Sequence, residues 1–407
     1  MNNRILSVFG SMVLILAVGA GETRAEDFVD TFIAGRQAED SGSIDQALTL
    51  YSDAIKMAPQ SALAWAKRGE AYLRKGDPKS AIKDLTHATK LDPFHAAAFA
   101  KLGFAHNAVN EYAKAVDALN TAIKLESSSS EALNTRGFAF NGLNDYDRAV
   151  KDFDRAIALN SNDPRYYNNR GFALNGKNDY EHSIPDFDKA IKLDPTNAMF
   201  YNNRGVAHMR LKQFDLALDD FNKAIEINSK FSSAYHNRGM ALSGKGRHEK
   251  AVEEFSKVIE MNPNSPVLYK DRGTAYSKLG EYELAKKDFE KSIELDKRFA
   301  PGYAAMGLLL ATTPDASIRN PALGKKFAEK AVLMSDATGP ELTRNLAEVQ
   351  KALNEDSAAI LTLRKAISMD PSNKEFAELL QKWEKGPAVR VSTTIQTTHQ
   401  KVFSNLW

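Results

Sequence analysis

The 407-residue chain has no cysteine. That excludes disulfides, a thiol nucleophile, thiolate metal sites and lipid attachment through sulfur, so stability has to come from packing. Net charge is nearly absent too: 54 Lys+Arg against 52 Asp+Glu leave +2, whereas a nucleic-acid partner calls for a basic stripe. The eight histidines form no HExxH pair, and no GxSxG, phosphate-binding loop or calcium-loop spacing occurs. These absences predict a non-enzymatic protein with no cofactor and no metal. Long hydrophobic runs are missing except at the start, where Ile5 to Ala20 follows Arg4 and precedes Thr23-Arg24-Ala25. The run falls short of the ~20 residues that span a bilayer and reads as a cleaved signal peptide over 1–25. Export follows, to the periplasm first and otherwise to the medium, with any membrane association only indirect, through envelope partners.

What the chain does have is a rhythm. Gly35, Gly69, Gly103, Gly137, Gly171, Gly205, Gly239, Gly273 and Gly307 stand 34 residues apart, and a fixed period means one structural unit copied. Counted from Phe28, the glycine is position 8 of each copy. Position 4 is mostly aromatic (Trp65, Tyr167, Tyr201), as is position 24 (Tyr51, Phe153, Phe187), while position 20 is small (Ala47, Ala149, Ser183). Apolar residues at 4, 7–8 and 11 make one helical stripe and those at 20, 24 and 27 a second. Glycine or asparagine at position 15 (Gly76, Asn144) suits the left-handed end of the first helix, and Ser43, Asp77, Asp145 and Asp179 at position 16 suit the cap of the second.

These positions resemble, one by one, the W/L/G/Y…A/F/A…P signature of the tetratricopeptide repeat. The resemblance implies an all-α fold, a right-handed α-solenoid of about ten repeats over 28–373, starting near 28, 62, 96, 130, 164, 198, 232, 266, 300 and 340. In repeat nine the insert 312–321 displaces the second helix by about five residues. Residues 374–385 read as a capping helix and 386–407 as an extended or disordered tail. Ordering one repeat alone costs more than its own burial returns, so stability requires stacking. Pro185 falls inside a second helix, where a kink is expected.

The family lines its groove with first-helix positions 2, 5, 6, 9 and 12. Positions 5 and 6 carry amides and polar groups: Asn134, Asn168, Asn169, Asn202, Asn203, His236, Asn237, Lys270 and Asp271. Amides offer the donor and acceptor that hold the main chain of an extended peptide. Position 9 adds Phe104, Phe138, Phe172 and Met240 for apolar side chains. The competing reading is that the asparagines bond neighbouring helices. Arg at position 7 (Arg68, Arg136, Arg170, Arg204, Arg238, Arg272) reads as structural, its guanidinium reaching acids of the adjacent repeat, and the acidic pairs Asp219-Asp220 and Glu253-Glu254 read as a solvated face. The function these observations predict is binding of a protein or peptide partner outside the cytoplasm. The alternative is a structural subunit of a cell-envelope or polysaccharide-export complex.

Overall fold

The computed structural model describes residues 22–335 and 338–385, and among them every regular element is a helix. The chain divides into two compact units, 1–211 and 212–407. The first holds α1 (Glu22–Asp40), α2 (Ile44–Met57), α3 (Ala62–Lys75), α4 (Pro78–Leu91), α5 (Ala96–Ala108), α6 (Tyr112–Leu125), α7 (Ser130–Gly142), α8 (Tyr146–Leu159), α9 (Pro164–Gly176), α10 (Tyr180–Leu193) and α11 (Ala198–Arg210). The second holds α12 (Phe214–Ile227), α13 (Ser232–Gly244), α14 (His248–Met261), α15 (Pro266–Leu279), α16 (Tyr282–Leu295), α17 (Ala300–Thr312), α18 (Pro321–Met334), α19 (Pro340–Ala352), α20 (Asp356–Met369) and α21 (Lys374–Glu384). Within each unit, consecutive helices pack as antiparallel hairpins and each hairpin stacks on the next, which is the tetratricopeptide solenoid.

The glycine at position 8 explains why the hairpins close so tightly. A Cβ on Gly137 would stand 2.6 Å from the Phe153 ring of the same repeat, and one on Gly171 would stand 2.8 Å from Phe187. The ring at position 24 thus sits on bare backbone, and both phenylalanines are fully buried. At Gly307 no ring intervenes: its added Cβ would meet the Gly324 carbonyl at 2.8 Å, so α17 and α18 approach backbone to backbone. The hairpin turns use the left-handed region, with φ of 82° at Gly76 and 58° at Asn144, where those two residue types are best tolerated.

Local expectations divide. Asp77 and Asp145 cap their helices by accepting from Ser80 N and Arg148 N, but Ser43 and Asp179 make no such bond. Asp179 is engaged instead with His182 Nδ1 at 2.6 Å. Helix α10 runs unbroken through an exposed Pro185. Phe376 of α21 is buried against Ala347, Leu363 and Ala366, covering the last hairpin. Of the signal-peptide reading, residues 1–21 lie outside the described residues and 22–25 form the first turn of α1; the 386–407 reading also lies outside them.

Candidate functional site: the face of the first helices

The recurrent arginine builds the support behind this face. Arg136 donates from Nε to Asp152 Oδ2 at 2.7 Å and from Nη2 to Oδ1 at 2.7 Å, while Nη1 reaches Asn120 Oδ1 of the preceding repeat at 2.8 Å. Arg68–Asp84, Arg170–Asp186 and Arg272–Asp288 repeat the two-pronged pairing, and Arg238 grips Glu254. The two-pronged acidic partner lies sixteen residues on in the same repeat, and Arg170 and Arg204 also reach an acid of the adjacent repeat, Asp154 at 2.6 Å and Asp188 at 2.5 Å. The guanidinium also lies over the position-4 ring, as Arg170 does over Tyr167. Two readings are corrected here: Asp220 and Glu254 are buried, not solvated. Burial pushes the Asp186 carboxyl above its ordinary value even against the pull of Arg170. The sequence carried a signal for the pairing, because in the third repeat Leu102 replaces the arginine and Ala118 the acid together.

The asparagines at positions 5 and 6 bond across repeats. Asn169 Nδ2 donates to Asn134 Oδ1 at 2.9 Å, and Asn203 Nδ2 donates to Asn168 Oδ1 at 2.9 Å. Within α9, Asn168 Nδ2 donates to Asn169 Oδ1 at 3.2 Å, and within α11 Asn202 Nδ2 donates to Asn203 Oδ1 at 3.4 Å. Asn134, Asn168 and Asn202 are buried, while Asn169 and Asn203 are half-buried. The amides thus form a continuous internal chain in the first unit, leaving the second N–H of Asn169 and of Asn203 beyond these bonds. A further amide escaped the sequence reading: Asn107 Nδ2 donates to the Thr135 carbonyl of the next repeat at 2.9 Å.

In the second unit the same positions change chemistry. His236 on α13 meets Asp271 Oδ2 on α15 through Nε2 at 2.7 Å, and Lys270 contacts the other oxygen of the same carboxylate. Burial would push the Asp271 carboxyl up, but the His236 hydrogen bond and the Lys270 charge outweigh it and hold the group below its ordinary range. Asn237 lies beside them on α13, half-buried.

Position 9 is where the face is open. Phe104, Phe138 and Phe172 are 51%, 48% and 51% exposed, and Met240 on α13 is also exposed. Three large rings thus stand partly in water at the same repeat position. A recess of about 490 Å³ adjoins Phe104. It opens because positions 2 and 5 of that repeat are Ala97 and Ala100, where the next repeat has Glu131 and Asn134. Among the described residues no group of three or more His, Asp or Glu side chains could hold a metal ion.

An open apolar row on a stack of helix pairs is the architecture of a repeat scaffold. Family models described as Tetratricopeptide repeat match residues 164–197, 198–231 and 266–299, 34–96 and 67–131, and 232–265 and 345–373; one described as TPR repeat matches 139–176. Together these spans cover well over half of the sequence, and the chain belongs to the tetratricopeptide repeat proteins. Among solved structures, a tetratricopeptide repeat protein from Parabacteroides merdae aligns at a TM-score of 0.52 and 19% identity, over 61% of this chain and 99% of its own. MamA aligns at 0.39 and 26% identity over 43% and 95%. YrrB, described as a TPR protein with an unusual peptide-binding site, aligns at 0.38 and 23% over 47% and 98%. Proteins of this family are interaction scaffolds.

Proposed function

We propose that this chain binds an extended segment of a partner protein along the open face of its first helices, outside the cytoplasm and without a catalytic step. The observation that carries the reading is the row of half-exposed rings Phe104, Phe138 and Phe172, one per repeat. Exposed aromatics at a repeat interval present a large apolar contact in a fixed geometry, the kind of anchor that dominates binding energy. The half-buried Asn169 and Asn203 lie one helical turn from position 9 and supply polar contacts beside it. The basic residue, apolar run and small-residue site of the first 25 residues support export. Among the described residues no helix is long and apolar enough to cross a membrane.

The test places a photoreactive phenylalanine analogue at Phe138 in the intact protein, with the same analogue at the exposed Leu284 of a second helix as control. Illumination in the native host is expected to crosslink partner segments at Phe138 and not at Leu284. Equal crosslinking at both positions would remove the first-helix face from the proposal.

A further inference from the structure

Asn107 Nδ2 donates to the Thr135 carbonyl, and at the same position of the next repeat Asn141 Nδ2 donates to the Asn169 carbonyl at 3.5 Å. These bonds fix which end of each amide is the oxygen. The Oδ1 atoms of Asn107 and Asn141, and that of Asn175 one repeat further on, are buried and accept no hydrogen bond among the described residues. A buried acceptor without a donor costs stability, and native structures hold few of them. Packing alone does not require the cost, because position 12 is Leu73 in the second repeat and Met209 in the sixth. The three asparagines coincide instead with the rings. Repeats three, four and five carry phenylalanine at position 9 and asparagine at position 12, and no other repeat carries either. Residues three apart are neighbours on a helix surface, so each unpaired amide stands one turn from a half-exposed ring.

We infer that Asn107, Asn141 and Asn175 are binding residues whose oxygens gain their donors from the partner, beside the rings of Phe104, Phe138 and Phe172. This rests on the groove reading above and deepens it in two ways. The binding stretch is confined to repeats three to five, and the partner segment brings free main-chain N–H groups. Every residue of an extended segment carries such a donor whatever its side chain, whereas the N–H groups of a helix interior are already bonded and proline has none. In the empty protein each oxygen is closed to solvent, so a donor reaches it as the ring one turn away moves aside. The apolar contact and the hydrogen bond are therefore made together. A ligand that fills the apolar surface and lacks the donor leaves the oxygen unpaired, and a site built for a hydrogen bond rejects an analogue that cannot make it.

The experiment pans a library of random peptides on the intact protein and keeps a peptide whose capture is lost in Phe138→Ser, a variant expected to leave the melting temperature unchanged. That peptide is synthesised as it stands and with its main-chain nitrogens methylated one at a time, and its binding is read by fluorescence anisotropy. Asn141→Leu is expected to raise the melting temperature of the first unit by about 2–4 °C and to weaken the peptide about tenfold. At least one methylated peptide is expected to bind the natural protein about tenfold more weakly and to show no further loss with Asn141→Leu, as two changes to one contact do. A lowered melting temperature, or unchanged binding, in Asn141→Leu would make the amide structural and overturn the inference. If Asn141→Leu weakens binding but every methylated peptide binds the natural protein as well as the parent, the main-chain donor is wrong. If no captured peptide depends on Phe138, the groove reading itself is overturned.

Discussion

Arg136 and Asp152 are only 16% and 5% exposed at their side chains, which makes the pair expensive to break from one side. Removing the cation alone leaves a desolvated carboxylate without its counter-charge, whereas replacing both partners by apolar groups of similar size is often neutral. Arg136→Met is therefore expected to destabilise the first unit by about 3 kcal/mol, and Arg136→Met with Asp152→Leu to recover most of that, as read by urea unfolding. A double variant as unstable as the single one would show that Asn120 and the ring contact, not the ion pair, carry the arginine's contribution. At this scale the glycines and rings were legible, because their spacing of sixteen residues matches two facing helices whose close approach demands a missing Cβ. The buried acids were not. Acids on a second helix look solvated until the arginine across the hairpin is seen to pair with them, and joint changes such as Leu102 with Ala118 are the trace this leaves in the sequence.

Among elements, the amide ladder joins one first helix to the next. Helix pairs were readable from two apolar stripes separated by glycine or asparagine, since each stripe has the helical period. Bonding of the asparagines to neighbouring helices was one of two readings the sequence left open, and only the structure chooses it, because it needs position 5 of one repeat to face position 6 of the next, a relation set by how hairpins stack. That stacking changes what the ladder contributes. Asn169→Ala removes the donor to the buried Asn134 Oδ1 and the acceptor for Asn168, and buried polar groups left without partners cost about 1–3 kcal/mol each. We expect Asn169→Ala to lower the melting temperature of the first unit clearly, in contrast to Phe138→Ser. Calorimetry on the two variants separates them, and a melting temperature unchanged by Asn169→Ala would mean that the amides serve the partner alone.

At the scale of a whole unit, one ion pair spans the second from its start to its last helix. Lys212, at its beginning, places Nζ 2.7 Å from Glu375 Oε1 on α21, near its end. Lys212 has a φ of 59° at a turn position where Asn110, Asn144, Asn178 and Gly246 serve elsewhere, so a residue poorly suited to the backbone stands where the long-range contact needs an ammonium. A contact of this span was not legible in the repeat, since small rotations between hairpins accumulate without leaving a motif. The hydrogen bond to Lys212 holds the Glu375 carboxyl below its ordinary value, and that to Glu375 holds the Lys212 ammonium above its own. A depressed carboxylate contributes above its unfolded pKa of about 4.3 and loses that contribution as pH falls through the lowered value. A raised ammonium contributes below its unfolded pKa of about 10.4 and loses that contribution as pH rises through the raised value. The contact is thus intact between those limits and weakens at either end, and salt weakens it throughout because both groups are exposed. As the chain has no cysteine, Leu216→Cys with Ala377→Cys carries two spin labels and nothing else reacts. The distance between them is expected to be short and narrow at pH 7 in low salt, and to lengthen and broaden in 1 M salt (Debye length about 3 Å) or with Glu375→Gln. A distribution indifferent to Glu375→Gln would assign the closure to the packing of the hairpins alone, with the ion pair a bystander to it.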